Sequence, residues 1–457
     1  MKHKPTYHFR PDKNWINDPN APIYYKGEYH LFYQHNPDSW EWGNLHWGHA
    51  KSRDMIHWEH LPLALAPAKD RGENYCFSGC GYIHNDKIEL LYTSIGTHGH
   101  GEWGHHEGAQ QWVATTEDMV HWKQIPENPV LSNKNNAQIG LTLIHWRDPY
   151  VFQYKGETLM VIAGVIDGWK GAILIYRSKD MRNWEFLNTF FTEDRQVVYE
   201  CPNVVVFGDK IALIYTVWKE RLWSVVGTMN EDYSLNVLRH GPMLDPGCYY
   251  ATNVFTDDTG RKIMWGWLQE NDRNGIITDG AWSGAIALPR ILSLSPENEL
   301  LMAPAMEDAL LRGEKESCIL EGFEGRKVFD THSASCEIHL QVSSQASFAL
   351  RVMASEDGQE YTELRFSPRS KVVRIAREKS SLLPMPVKKD IDGRFTAYEG
   401  DLNIRVFLDN SIIEIYVNNA YAYSARVYPT REDACLSLEV FQGNVNAKVD
   451  IYHIEKP

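Results

Sequence analysis

Three acidic residues sit in short blocks rich in aromatic and polar side chains: Asp18 in WINDPN (15–20), Asp148 in WRDPY (146–150) and Glu200 in YECPN (199–203). A pair of carboxyl groups flanking one bond is the usual equipment for cleaving a glycosidic linkage. One must be ionised, to attack or to activate water. The other must hold a proton at neutral pH for the leaving oxygen. Crowding carboxyls together out of water separates their proton affinities, and a nearby guanidinium keeps one of them low. Arg147, adjacent to Asp148, is a candidate for that cation, although neighbouring side chains on a regular strand point to opposite faces. Trp42, Phe77 and Trp267 are candidates for the apolar walls that a sugar ring stacks on.

These residues are far apart in the chain, so the fold must gather them. A hairpin unit, a turn followed by an apolar strand, occurs five times: YKGEYHLFYQ (25–34), HNDKIELLYT (84–93), YKGETLMVIA (154–163), FGDKIALIYT (207–216) and DTGRKIMWGW (258–267). Turn formers followed by β-branched or aromatic runs signal hairpins. Counting eight or nine residues back from the turns at Gly27, Asp86, Gly156, Asp209 and Gly260 reaches Asp18, Ser78, Asp148, Glu200 and Thr252. Polar residues at one register in every repeat predict a ring of units with one shared pocket. A second repeated block, SRDMIHW (52–58), TEDMVHW (116–122) and SKDMRNW (178–184), is read as a packing turn. Five β-rich units with almost no helix signal predict an all-β, five-bladed β-propeller. Because Asp18 and Asp148 each precede a proline, both are expected to be extended, at strand entrances.

The hairpin repeat stops near residue 295. A linker with a short helix is expected over 296–314. Over 315–457, segments such as CEIHLQV (336–342), NIRVFLD (403–409) and SIIEIYV (411–417) alternate at period two, which predicts a C-terminal β-sandwich.

Composition narrows the partners. With 46 Lys and Arg against 60 Asp and Glu, the net charge is −14, which argues against nucleic acid or an anionic membrane surface as partner. No apolar run is long enough to span a bilayer. The N-terminal stretch lacks an apolar signal core, and the seven cysteines show no framework spacing, so a reduced, cytoplasmic protein is expected. The His-rich stretch 96–108 has the residue types of a metal site but none of the usual spacings, and is read as a loop at the pocket rim or a plain surface loop.

Taken in order, WINDPN, FSGC (77–80), WRDP and YECP resemble the signature blocks of glycoside hydrolase family 32, the family of invertases, sucrose-6-phosphate hydrolases and fructan hydrolases. FYQHNP (32–37), WGNLHWGHAKSRDMIHW (42–58), GWLQ (266–269) and WSGAIALPR (282–290) extend the resemblance over nearly the whole chain. The resemblance implies a propeller followed by a sandwich, with Asp18 as nucleophile, Glu200 as general acid/base and Asp148 as transition-state stabiliser. It implies a fructose pocket containing Asn17, Gln34, Trp42, Phe77, Ser78, Arg147, Cys201 and Trp267, and neither metal nor organic cofactor. It further implies a retaining mechanism, for which the two reacting carboxyls stand about 5–5.5 Å apart. Cys201, beside Glu200, is read as tuning that acid. Ala21, Cys80, Tyr150 and Asn203 depart from the family pattern and leave the choice of fructoside open. Three activities remain in view: hydrolysis of a fructose-containing di- or oligosaccharide, fructosyl transfer, and sugar binding without turnover.

Overall fold

The computed structural model describes residues 3–97, 108–132, 144–166, 169–270, 282–384, 386–396, 400–431 and 434–454. The first domain is a five-bladed β-propeller. Its blades begin with the strands Asn14–Tyr25, Glu73–His84, Ile144–Tyr154, Tyr199–Phe207 and Tyr249–Thr256. Each of these pairs antiparallel with the next strand in sequence, and the sheet then meanders outwards. The five first strands pack against one another in a closed ring. Their hairpin turns explain why these sequences fold locally. Lys26–Gly27, Asn85–Asp86 and Lys155–Gly156 all have both central residues at positive φ, the geometry whose twist matches paired strands.

Closure comes from the two-residue strand Trp282–Ser283. It leaves the fifth blade and runs parallel beside the first strand of the first blade, pairing Asn14 with Trp282 and Trp15 with Ser283. The repeated Asp-Met-x-x-Trp blocks are bends. Asp54 Oδ1 accepts from the backbone N–H of Ile56 and His57, and Met55, Met119 and Met181 all sit at positive φ. This agrees with their reading as packing turns.

The fifth blade's outer strands are Arg290–Leu294 and Leu300–Pro304, so the propeller runs past the expected boundary at 295. SPENEL makes the turn between them instead of opening a linker. The expected short helix is a 3-10 turn, Met306–Leu311. The sandwich then starts at Arg312. Two long strands, Arg312–His332 and Cys435–Ile454, bend from one layer into the other. The first part of Cys435–Ile454 pairs with Phe348–Ala354, and its last part with Ser335–Ser343. The two layers therefore form one continuous hydrogen-bonded sheet folded on itself. Phe407, Ile412, Tyr416 and Ala422 of the sandwich pack into one core with Leu244, Met264, Leu268 and Ala285 of the propeller. Among the described residues, no helix is long and apolar enough to cross a membrane.

Candidate active site

Every first strand carries the same irregularity near its start. Pairing with the second strand slips between Ile16 and Pro19, Cys76 and Gly79, Arg147 and Tyr150, Glu200 and Asn203, and Tyr250 and Asn253. In each case two residues face one, which is a β-bulge. A bulge bends the strand and re-aims its side chains, so five bulges at one end of the ring build one pocket. This corrects the register expected from sequence. The three carboxylates do not share a position: Asp18 is the second bulge residue, Asp148 is the first in its blade, and Glu200 immediately precedes its bulge. Thr252 matches Asp18 in the bulge but faces away from the pocket, its carbonyl accepting from Asn203 Nδ2 at 2.9 Å.

The bulge also corrects the expected backbone. Asp148 is not extended; its φ is +63°. Cys201 and Ala251, the matching residues in the next two blades, are left-handed too, with φ +46° and +47°. Such a conformation is costly for a residue with a Cβ and persists where surrounding structure enforces it. It explains how Arg147 and Asp148, neighbours in sequence, reach the same cavity.

That cavity encloses about 540 Å³ and is lined by all eleven residues singled out from the sequence: Asn17, Asp18, Gln34, Trp42, Phe77, Ser78, Arg147, Asp148, Glu200, Cys201 and Trp267. Asp18 Oδ2 accepts from Ser78 Oγ at 2.5 Å, and Oδ1 from Asn17 Nδ2 at 3.0 Å. Gln34 ties both donors together. It accepts from Asn17 Nδ2 and donates to Ser78 Oγ at 2.8 Å. Glu200 is held at both oxygens, by Arg147 Nη2 at 2.7 Å and by the Tyr250 hydroxyl at 2.5 Å. Asp148 Oδ2 accepts from the Cys201 N–H at 3.0 Å and lies 3.8 Å from Arg147 Nε.

The electrostatics follow from the count of charges. Three carboxyls face a single guanidinium. Burial, reinforced by Asp148 and Glu200 and opposed by the Ser78 and Asn17 hydrogen bonds, pushes Asp18 up to about 7. Burial also lifts Asp148 to about 6, with Arg147 pulling it down. The Cys201 thiol does not contact Glu200 as expected. Its Sγ lies 3.6 Å from both Asp18 Oδ2 and Asp148 Oδ2. Burial raises its own pKa well above the usual thiol value, so it meets the two carboxyls as a neutral donor.

Sequence reasoning did not single out Tyr250, His145, Trp218, Lys219, Arg221 and Gln269, which also line the cavity. Trp218 and Lys219 lie in the loop between the second and third strands of the fourth blade. Trp42 occupies the corresponding loop of the first blade. An aromatic residue at that loop was the available signal. The His-rich stretch forms the same loop of the second blade, and its residues 98–107 lie outside the described residues.

The chain is similar to known proteins along nearly its whole length. Residues 8–304 match the family described as Glycosyl hydrolases family 32 N-terminal domain, and residues 309–455 match Glycosyl hydrolases family 32 C terminal. Sucrose-6-phosphate hydrolase of Escherichia coli is 29% identical over 471 residues, covering 96% of this chain and 92% of that protein. The levanase of Bacillus subtilis is 27% identical, covering 98% of this chain and 69% of that protein. Among solved structures, a family 32 β-fructofuranosidase of Bombyx mori superposes with a TM-score of 0.82 at 27% identity, over 100% of this chain and 94% of that one.

Proposed function

The chain belongs to glycosyl hydrolase family 32, and from that premise we propose that it is a retaining β-fructofuranosidase whose nucleophile is Asp18 and whose general acid/base is Glu200. The observation that carries the reading is the meeting of Asp18, Asp148 and Glu200 in one cavity, with Arg147 between the last two. A carboxylate of Asp18 attacks the anomeric carbon of a terminal fructosyl unit. Glu200 gives its proton to the departing glycosidic oxygen, and a fructosyl ester on Asp18 results. Glu200 then takes a proton from water as that water attacks the anomeric carbon, breaking its bond to the Asp18 oxygen and releasing fructose. Arg147 stabilises the charge that Glu200 acquires in the first step. Asp148, with Oδ2 engaged by Cys201, presents its other oxygen to fructose hydroxyls. Hydrogen bonds of that kind tighten as the oxocarbenium-like transition state forms.

The substrate is sucrose, sucrose 6-phosphate or a short fructo-oligosaccharide. Two cations at the rim, Lys219 and Arg221, support the phosphorylated sugar. Glu220 between them is neutralised by Arg195 at 2.9 Å. The cysteines are free thiols, which supports a reducing, cytoplasmic setting.

Kinetics on sucrose, sucrose 6-phosphate, inulobiose and levanbiose test the proposal. Fructose release is expected, with the lowest KM for the phosphate and a rise in that KM alone in Lys219→Met. Longer oligosaccharides accumulating at high sucrose, with little free fructose, would instead mark a fructosyltransferase.

A further inference from the structure

We infer that Arg426, a residue of the C-terminal sandwich, is a positioning residue for the fructose pocket; the inference rests on the functional reading above. Arg426 closes the strand Tyr421–Arg426 and is 1% exposed. Its Nη2 donates to Glu270 Oε1, and the hydroxyl of its near neighbour Tyr428 donates to Glu270 Oε2 at 2.7 Å. The sandwich thus grips both oxygens of a propeller carboxylate. Glu270 directly follows Gln269, and Gln269 and Trp267 both line the cavity.

The same guanidinium reaches the other side of the propeller seam. Its Cζ lies 5.6 Å from the ring centroid of Trp282. Trp282–Ser283 is the short strand that closes the ring beside Asn14 and Trp15. From there a contact path runs to the nucleophile. Trp15 Nε1 donates to Asn17 Oδ1 at 2.7 Å, and Asn17 Nδ2 donates to Asp18 Oδ1 at 3.0 Å. The two sides are tightly fitted. At Gly284, with φ +86°, an added Cβ would come within 2.2 Å of Ile16 O and 2.8 Å of Trp267 Nε1. Trp15 and Trp267 meet edge to face, with centroids 5.6 Å apart.

Among the described residues, the strand joint that closes the ring has two residue pairs. One cation from the second domain braces both of its edges. Trp267 and Gln269, next to the gripped Glu270, line the cavity, whereas Asp18 lies several contacts away. The main effect of losing Arg426 therefore falls on substrate binding and a smaller one on turnover. A buried ion pair that merely fastened two domains would affect stability alone.

The test is steady-state kinetics on sucrose with the full chain, at a temperature where circular dichroism shows each variant folded. Arg426→Met is expected to raise KM about tenfold and change kcat by less than about threefold, the scale of a small displacement of a binding wall. Glu270→Gln should do the same, and the double variant should be no worse than the poorer single, because both changes cut one linkage. Tyr428→Phe removes only a hydroxyl and serves if Arg426→Met does not fold; a KM rise of about threefold is expected. Unchanged KM values alongside a lowered Tm would overturn the inference, as would additive effects in the double variant. A parent enzyme that releases no fructose would instead refute the functional reading, so the two failures are distinguishable.

Discussion

In the pocket, three carboxyl groups face one guanidinium, and two of them, Asp18 and Asp148, are pushed up to about 7 and about 6. At the seam between the domains, Asp245, Asp409 and Glu414 face two cations, Arg290 and His8. Asp409 Oδ2 meets His8 Nδ1 at 2.9 Å, and Glu414 Oε1 meets His8 Nε2 at 3.0 Å. Arg290 Nη2 lies 3.0 Å from Asp245 and 2.9 Å from Glu414. Backbone N–H groups of Thr6, Tyr7, His8, Leu288 and Gly247 add further donors. Both regions are buried, yet at the seam Glu414 falls to about 2 and His8 rises to about 9. Burial alone therefore does not decide a carboxyl group's state. The supply of cations and donors does. At the seam His8 and Arg290 pair with Asp409 and Glu414, which holds the domains together. In the pocket Asp18 is served by neutral donors and Asp148 by a single cation, and burial raises both.

The largest expected break in this contrast is catalytic. Asp18→Asn should lower kcat by about 10⁴-fold or more, and Glu200→Gln by about 10²–10⁴-fold, in sucrose hydrolysis assays. Both variants should still bind sugar, as calorimetry would check.

Next comes the seam. Arg290→Met leaves Asp245 and Glu414 buried without their shared cation and should destabilise the protein by about 3–5 kcal/mol in denaturant titration. If that loss were near zero, the seam would not be the paired region described.

The two regions should also differ in their pH dependence. His8 has a folded pKa raised above its unfolded value, so its contribution is complete below about 6.5 and is lost as pH rises through about 9. Glu414 contributes above its unfolded value of 4.5, and its share is lost as pH falls through about 2. Asp18 shifts in the opposite direction to Glu414. Its folded pKa is raised, so the folded state is penalised as pH climbs from 3.8 through about 7. Asp18→Asn should therefore raise Tm, and by more at pH 8 than at pH 5. In the parent, kcat/KM should fall on the acid side with a midpoint between about 6 and 7, because the nucleophile must be ionised. A midpoint near 4 would mean that the pocket holds its negative charges as comfortably as the seam.

The smallest effect is expected at Cys201. Removing its thiol takes a donor from Asp18 and Asp148, so Cys201→Ala should move that acid limb upwards by a few tenths of a unit, roughly the worth of one weak hydrogen bond. An unchanged limb would remove the thiol from the account.

The propeller and the pocket were legible because both are written in local signals. Hairpin turns such as Lys26–Gly27 announce each blade, and the polar blocks precede them at nearly constant spacing. What escaped was the bulge. Two residues facing one is a property of strand pairing, and nothing in WRDPY shows that Asp148 must be left-handed. Tyr250 escaped because a tyrosine in YYATN has the appearance of a core residue; only the fold brings its hydroxyl to Glu200. The seam escaped for a related reason. His8 and Asp409, or Glu270 and Arg426, are joined across 401 and 156 residues of chain, and no local spacing connects them.

The central claim is that Asp18 carries the fructosyl group. Rapid mixing of Glu200→Gln with sucrose, acid quenching and peptide mass mapping test it directly: glucose can still depart slowly, but the mutant has no base to release the ester. The account predicts one added anhydrohexose on the peptide containing Asp18, absent in the Asp18→Asn, Glu200→Gln double variant. A label on Asp148 or Glu200 peptides, or slow turnover with no covalent adduct and inverted product configuration, would contradict it.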